Sequence, residues 1–201
     1  MIAIARAGLA GEIDARVTLV IADRADAAGL ASARDFGAET ATLLPAAGAA
    51  ALEAELAAIL DAHGPDAIAL AGFMRILSAD FVARYLGRMF NIHPSLLPAY
   101  RGLHTHRRVL AAGEREHGAS VHFVTAELDG GPVILQSRLG VRAGEAEAEL
   151  AARVLRTEHV IYPQALGWFA QRRLAWHDGA AWLDGRRLDA PVVEDFRAAV
   201  V

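Results

Sequence analysis

The chain has 201 residues, 54% of them hydrophobic and 22% charged, a balance that suits one α/β domain over residues 1–201 and excludes global disorder. It contains no cysteine, which excludes disulfides, Cys-ligated zinc and a thiol nucleophile. Twenty Lys and Arg stand against 24 Asp and Glu, for a net charge of −4 and no long basic run, so nucleic acid is not expected as a partner. Ile2 to Ala10 reads as a helix ending near Gly8 or Gly11. Val17 to Ala22 is a continuous, partly β-branched apolar run, expected as a strand buried on both faces. A helix follows over about Ala25–Phe36, stopped by Gly37, then a short strand over Glu39–Leu44. Ala49–His63 is a strong helix former closed by Gly64-Pro65. Asp66–Gly72 is the next strand, and Ser78 is placed to cap the helix after it. Arg88–His93 reads as a strand and Thr105–Ala112 as a helix. Ser120–Thr125 and Val133–Leu139 read as strands around an Asp129-Gly130-Gly131 turn. A long helix is expected over Gly144–Gln171, and Ala181–Leu188 as a hairpin turning on Asp184-Gly185.

This alternation predicts an α/β fold with a mostly parallel, doubly wound sheet. Apolar runs are all broken well short of a membrane span, and Met1–Arg6 lacks the pattern of a secretory signal. A cytoplasmic protein with no membrane association is the expectation. One feature is out of place. Consecutive parallel strands are joined by a crossover helix, so the first helix should follow a strand, and none precedes it.

The stretch Phe90-Asn91-Ile92-His93-Pro94 carries the clearest chemistry. A strand places residues i and i+2 on one face, so Asn91 and His93 can point at one reacting atom. An amide can donate to a developing oxyanion, and an imidazole can move or stabilise a proton. A carboxylate such as Asp129, held in a Gly-rich loop, could orient the ring. Ligands in doubly wound sheets sit at the carboxyl ends of the strands, where Met74-Arg75 and Asn91–His93 fall. Each residue also has a plainer reading: a capping Asn, a satisfied core His, an ordinary Asp-Gly turn, a solvated Arg75 and a surface Glu158. Trp168, Trp176 and Trp182 are most simply packing residues.

Five motifs occur in order: Ala71–Leu77, Asn91–Pro98, Gly102–His106, Gly118–Val124 and Glu127–Val133. Together with Glu158-His159 and the terminal hairpin they resemble the phosphoribosylglycinamide formyltransferases, folate-dependent enzymes of purine synthesis, over essentially the whole chain. The resemblance implies a Rossmann-like formyltransferase fold. It implies transfer of a formyl group from 10-formyltetrahydrofolate, as cosubstrate, to the amino group of glycinamide ribonucleotide, with no metal. It further implies Asn91, His93 and Asp129 as the catalytic group, and Arg75, Ile76, Leu77, Asn91 and Asp129 as the folate contacts. Met74, Pro94 and Glu158 are then the nucleotide contacts. Family members begin with a strand and a glycine-rich phosphate loop, and neither is present here. The expectation is a missing first strand and phosphate cradle of roughly fifteen residues.

Three other readings compete. Formyltetrahydrofolate hydrolases share the same catalytic pattern. His93, His104, His106, His117 and His122 crowd together, as in a metal-dependent hydrolase, although no carboxylate sits at ligand spacing among them. The third is a truncated, non-catalytic folate-binding remnant.

Overall fold

The computed structural model describes residues 1–43 and 48–198. Helix α1 (Ile2–Leu9) leads into strand β1 (Leu19–Ala22), helix α2 (Ala28–Asp35) and strand β2 (Glu39–Thr42). Helix α3 (Ala49–His63), strand β3 (Ile68–Leu70), helix α4 (Ala79–Arg84) and strand β4 (Met89–His93) follow. Then come helix α5 (Thr105–Ala112), strands β5 (Glu116–Phe123) and β6 (Val133–Gly140), and helix α6 (Glu147–Ala170). The chain closes with β7 (Leu174–His177), β8 (Ala180–Leu183), β9 (Arg186–Arg187) and β10 (Val192–Asp195).

The helix ends follow local chemistry. Ser78 caps α4 as expected, its Oγ accepting from Phe81 N–H at 3.2 Å. Gly64 closes α3 in the left-handed conformation that a Cβ would resist. Glu149 accepts from the Ala146 N–H at 3.0 Å at the start of α6. Helix α6 starts at Glu147 rather than Gly144, because Arg142 to Glu145 close a turn in which Glu145 accepts from the Arg142 N–H. Likewise α2 starts at Ala28, since Arg24 and Asp26 pair with each other in the turn before it.

Five strands form one sheet in the order β10-β6-β5-β4-β3, and β1 and β2 form a separate parallel pair. The β1–β2, β3–β4 and β6–β10 pairings are parallel, whereas β4–β5 and β5–β6 are antiparallel. The expected α/β architecture with a mostly parallel sheet is present, and the one strand of the five-stranded sheet that runs the other way is β5, antiparallel to both β4 and β6. One expectation fails: β1 is half-buried along its length rather than buried on both faces. Among the described strands it pairs only with β2, so one edge and part of each face stay accessible. Leu44, the end of the expected Glu39–Leu44 strand, lies outside the described residues.

Strand β5 begins at Glu116, before the expected Ser120, because Gly118 allows the backbone of β6 to approach. A Cβ there would lie 1.8 Å from the Ser137 carbonyl oxygen. The terminal hairpin turns on Asp184 and Gly185, both at positive φ, as a type I′ turn requires. It gains a third strand, β7, through the similar Asp178-Gly179 turn.

The main core gathers Phe90, Phe123, Leu135, Val154 and Ile161 under the sheet, with Phe90 4.9 Å from Phe123 and 5.0 Å from Phe169 between ring centroids. Each such side chain contributes about 1.5–3 kcal/mol on burial. Trp176 packs edge-on against Phe123 at 5.4 Å, a packing role. Helix α6 is fastened to the sheet by Tyr162, whose hydroxyl lies 2.9 Å from Leu70 O and 3.0 Å from Phe90 O. That bridge fixes the ends of β3 and β4 side by side, with Leu70 opposite Asn91.

Candidate active site

Strand β4 buries Phe90 in the core and turns Asn91 and His93 to the other face, as period-two geometry requires. Across the antiparallel pairing, Asn91 stands opposite His122 and His93 opposite Ser120. Paired residues share a face, so His122 joins Asn91 and His93. Asp129 comes from the loop between β5 and β6 and adopts φ +48°, a left-handed conformation that Asp tolerates. Of the glycines after it, Gly131 is needed for close approach of the backbone, whereas at Gly130 only a mobile side chain stands in the way. A Cβ on Gly131 would sit 1.8 Å from Phe123 O, and one on Gly130 would strike the Glu127 carboxylate.

The hydrogen bonds fix the protons. His122 Nδ1 lies 2.8 Å from the Phe123 carbonyl, which can only accept, so Nδ1 carries the hydrogen. Its Nε2 is then an acceptor, and Asn91 Nδ2 donates to it at 3.2 Å. Burial holds His122 below the usual imidazole range, against the pull of Asp129, so the ring stays neutral and keeps that acceptor. The Asn91 amide is thereby oriented, and among the described residues its second N–H and its oxygen have no partner.

His93 Nε2 lies 3.0 Å from the Tyr100 carbonyl, so Nε2 also carries a hydrogen. His93 Nδ1 faces Asp129 Oδ2 at 3.4 Å, with side chains only 9% and 7% exposed. That separation is long for a hydrogen bond and close for charge stabilisation. Asp129 Oδ2 accepts from the Gly102 N–H at 2.9 Å, and its Oδ1 stands 3.8 Å from His122 Nε2. The result is a buried carboxylate between two imidazoles, beside an oriented amide.

The segment after β3 leaves the sheet at the same end. Met74 is 81% and Ile76 73% exposed, and Arg75 pairs with Asp23 at 3.3 Å. Leu77 is buried with Phe81 and Leu56, so its backbone is what it can offer a ligand. Pro94 is half-buried directly after His93. Glu158 stands on α6 one turn before Tyr162, half-buried, and burial pushes its carboxyl up to about 7. The structure thus brings Asn91, His93 and Asp129 together, adds His122, and sets Met74, Arg75 and Ile76 on the exposed rim.

His106 Nδ1 and His117 Nε2 lie 2.9 Å apart with rings edge to face, and burial lowers both, His117 to about 4. Among the described residues no group of three or more His, Asp or Glu could hold a metal ion. Four of the crowded histidines are spent on one another or on carbonyl groups: His106 pairs with His117, and His93 and His122 each face a main-chain carbonyl, while His104 is exposed. In the sequence His122 stands out only as a member of that crowd and of the Gly118–Val124 motif, with no sign of its role. Its partnership with Asn91 depends on cross-strand register, and the Tyr100 carbonyl is a main-chain group with no side-chain signature.

The pattern of the Formyl transferase family matches residues 2–166. The chain belongs to the formyl transferase family. It is 54% identical over 179 residues to the phosphoribosylglycinamide formyltransferase of Escherichia coli K12, covering 88% of this chain and 84% of that one. The solved phosphoribosylglycinamide formyltransferase of Coxiella burnetii superposes with a TM-score of 0.88 at 42% identity, over 95% of this chain and 92% of that one. A formyltetrahydrofolate deformylase from Burkholderia mallei superposes with a TM-score of 0.80 at 27% identity, over 90% of this chain but 64% of that one. Among formyl transferases, this chain is therefore more similar to the nucleotide enzymes than to the deformylases. Among the described residues no helix is long and apolar enough to cross a membrane.

Proposed function

We propose that this chain transfers the formyl group of 10-formyltetrahydrofolate to the amino group of glycinamide ribonucleotide, a step of de novo purine synthesis toward IMP. The reading takes residues 1–201 as one domain acting in the cytoplasm on small molecules. The observation that carries it is the convergence of Asn91, His93 and Asp129, with the amide oriented by His122 and the imidazole held by Tyr100 O.

In this reading the neutral amine attacks the formyl carbon, forming the new C–N bond and moving charge onto the formyl oxygen. The free N–H of Asn91 and the Nδ1–H of a doubly protonated His93 meet that oxygen. Loss of one such preorganised donor typically costs on the order of a hundredfold in rate. The attacking nitrogen becomes cationic and gives a proton to Asp129. Asp129 returns it to the folate nitrogen N10 as the N10–C bond breaks and the C=O re-forms, so one proton moves from amine to folate. Low exposure at His93 and Asp129 excludes water that would otherwise take the formyl group.

Arg75, Ile76 and the Leu77 backbone hold the folate, which suits an exposed rim at the strand ends. Met74 and Pro94 flank the nucleotide. Glu158, with a carboxyl near neutrality, can accept from and donate to ribose hydroxyls.

The test is product identity. Purified protein with both substrates should yield N-formylglycinamide ribonucleotide and tetrahydrofolate in equal amounts by mass spectrometry. Free formate formed at the same rate without the nucleotide would show a hydrolase and refute the proposal.

A further inference from the structure

Beyond the residues that face substrate, the protein holds a buried polar brace whose contacts all end on the loop behind His93. His93, Ser120 and Gln136 are successive partners across β4, β5 and β6, so their side chains share one face at one level of the sheet. Ser120 is fully buried and Gln136 is 5% exposed. The Ser120 hydroxyl donates to Ser95 O at 2.6 Å and accepts from Leu97 N–H at 3.0 Å and Gln136 Nε2 at 2.9 Å. That uses its one hydrogen and both lone pairs. The second hydrogen of Gln136 Nε2 goes to Leu97 O at 2.8 Å. Fully buried Ser95 donates to Ala99 O at 2.7 Å. Every one of these bonds outside the Ser120–Gln136 pair lands on residues 95–99.

The next residue is Tyr100, whose carbonyl accepts from His93 Nε2. Tyr100 sits at φ +56°, a left-handed conformation that is unfavourable for a non-glycine residue. Strain of this kind persists only where the surroundings over-determine it. Here the brace holds the preceding residues from inside. Outside, the Tyr100 hydroxyl donates to Glu114 at 2.7 Å and the Arg108 guanidinium lies 5.3 Å from the ring centroid.

We propose that Ser120 and Gln136 are positioning residues that set the protonation state of His93 by aiming the Tyr100 carbonyl at its Nε2. The inference rests on the catalytic reading of His93 above. With Nε2–H committed to the carbonyl, a singly protonated ring must turn the Nδ1 lone pair toward the Asp129 carboxylate, which repels it. A doubly protonated ring turns an N–H toward Asp129 and the reacting oxygen instead. If the carbonyl swings away, the single proton can settle on Nδ1, satisfied by Asp129, and the cationic donor is lost. The other ionisable groups that act on His93 are His122 and His117 on β5 and His106 on α5. None of them contacts Tyr100 O, so none replaces the carbonyl.

The experiment compares the full chain with Gln136→Met and Ser120→Ala. The readouts are ¹⁵N shifts of the His93 ring across pH, assigned by loss of the signal in His93→Ala, and steady-state kinetics. In the unsubstituted protein, neutral His93 should carry its proton on Nε2. In both variants the proton should move to Nδ1, kcat should fall about ten- to a hundredfold, and the alkaline limb of its pH profile should move to lower pH. KM for both substrates should change less than about twofold, since no substrate contact is lost. A merely structural brace would lower thermal stability and leave the proton position and pH profile alone, which overturns the proposal. If Gln136→Met does not fold, Ser95→Ala, which removes only the bond to Ala99 O, carries the same readouts. A fully active His93→Ala protein overturns the catalytic reading itself. An inactive His93→Ala protein beside folded variants that keep Nε2–H overturns the brace alone.

Discussion

His117 makes the stability of this protein depend on mildly acidic pH in a calculable way. It is 1% exposed, and burial, with repulsion from His106 and His93, lowers its pKa to about 4. In the unfolded chain a histidine titrates near 6.5. Above pH 6.5 both states hold the neutral ring and the group contributes no slope. As pH falls from 6.5 toward 4 the unfolded chain takes up a proton that the native state refuses, so stability declines. Below about 4 the native ring also protonates and the decline levels off. A gap of about 2.5 pKa units corresponds to about 3 kcal/mol, against a typical total of about 5–15 kcal/mol. His117→Gln keeps a polar group opposite His106 and removes the titration. Urea unfolding at pH 7.5, 6, 5 and 4.5, with stability taken from midpoint and slope, measures the effect. The unsubstituted protein should lose up to about 3 kcal/mol more over that range than the variant. Parallel curves for the two would refute the assignment.

Three further outcomes follow from the geometry. Asp129→Asn keeps an acceptor for Gly102 N–H while removing the charge facing His93, so kcat should fall about a hundredfold or more with only a small shift in melting temperature; steady-state kinetics beside thermal melts check this. Glu158 behaves oppositely to His117: its carboxyl is raised to about 7, so between pH 4.5 and 7 the unfolded chain ionises first and stability is lost as pH rises. Glu158→Gln should therefore be more stable than the unsubstituted protein at pH 8, by up to about 3 kcal/mol in denaturant titrations. Gly131→Ala forces a Cβ to within 1.8 Å of Phe123 O and should cost about 3 kcal/mol or more, whereas Gly140→Ala, which meets nothing within 4 Å, should change little; paired thermal melts distinguish them.

Much of this architecture is legible in the residues themselves, and the exceptions share a cause. Helices α3 and α5 run over Ala49–His63 and Thr105–Ala112 as their patterns predict, because apolar spacing and terminal glycines are local signals. The shared face of Asn91 and His93 is equally local, a consequence of strand period alone. The first half of β5 is not: His117-Gly118 resembles a loop until a facing strand explains why only glycine fits. Strands β7 and β10 are four residues each and gain their identity from neighbours. In the site, Asp129 can be picked out by its Gly-rich setting, but His122 is assigned by register across β4 and β5. Tyr100 contributes a carbonyl, which every residue has. Proton placement at His93 and His122, and the orientation of the Asn91 amide, therefore emerge only from three-dimensional pairing.

Formyl transfer, as proposed, depends on the buried imidazole of His93 beside Asp129. The most direct test is the turnover of His93→Ala with 10-formyltetrahydrofolate and glycinamide ribonucleotide, alongside its far-UV circular dichroism. A native spectrum with kcat reduced on the order of a hundredfold or more is the expected result. A native spectrum with kcat close to that of the unsubstituted protein would contradict the account.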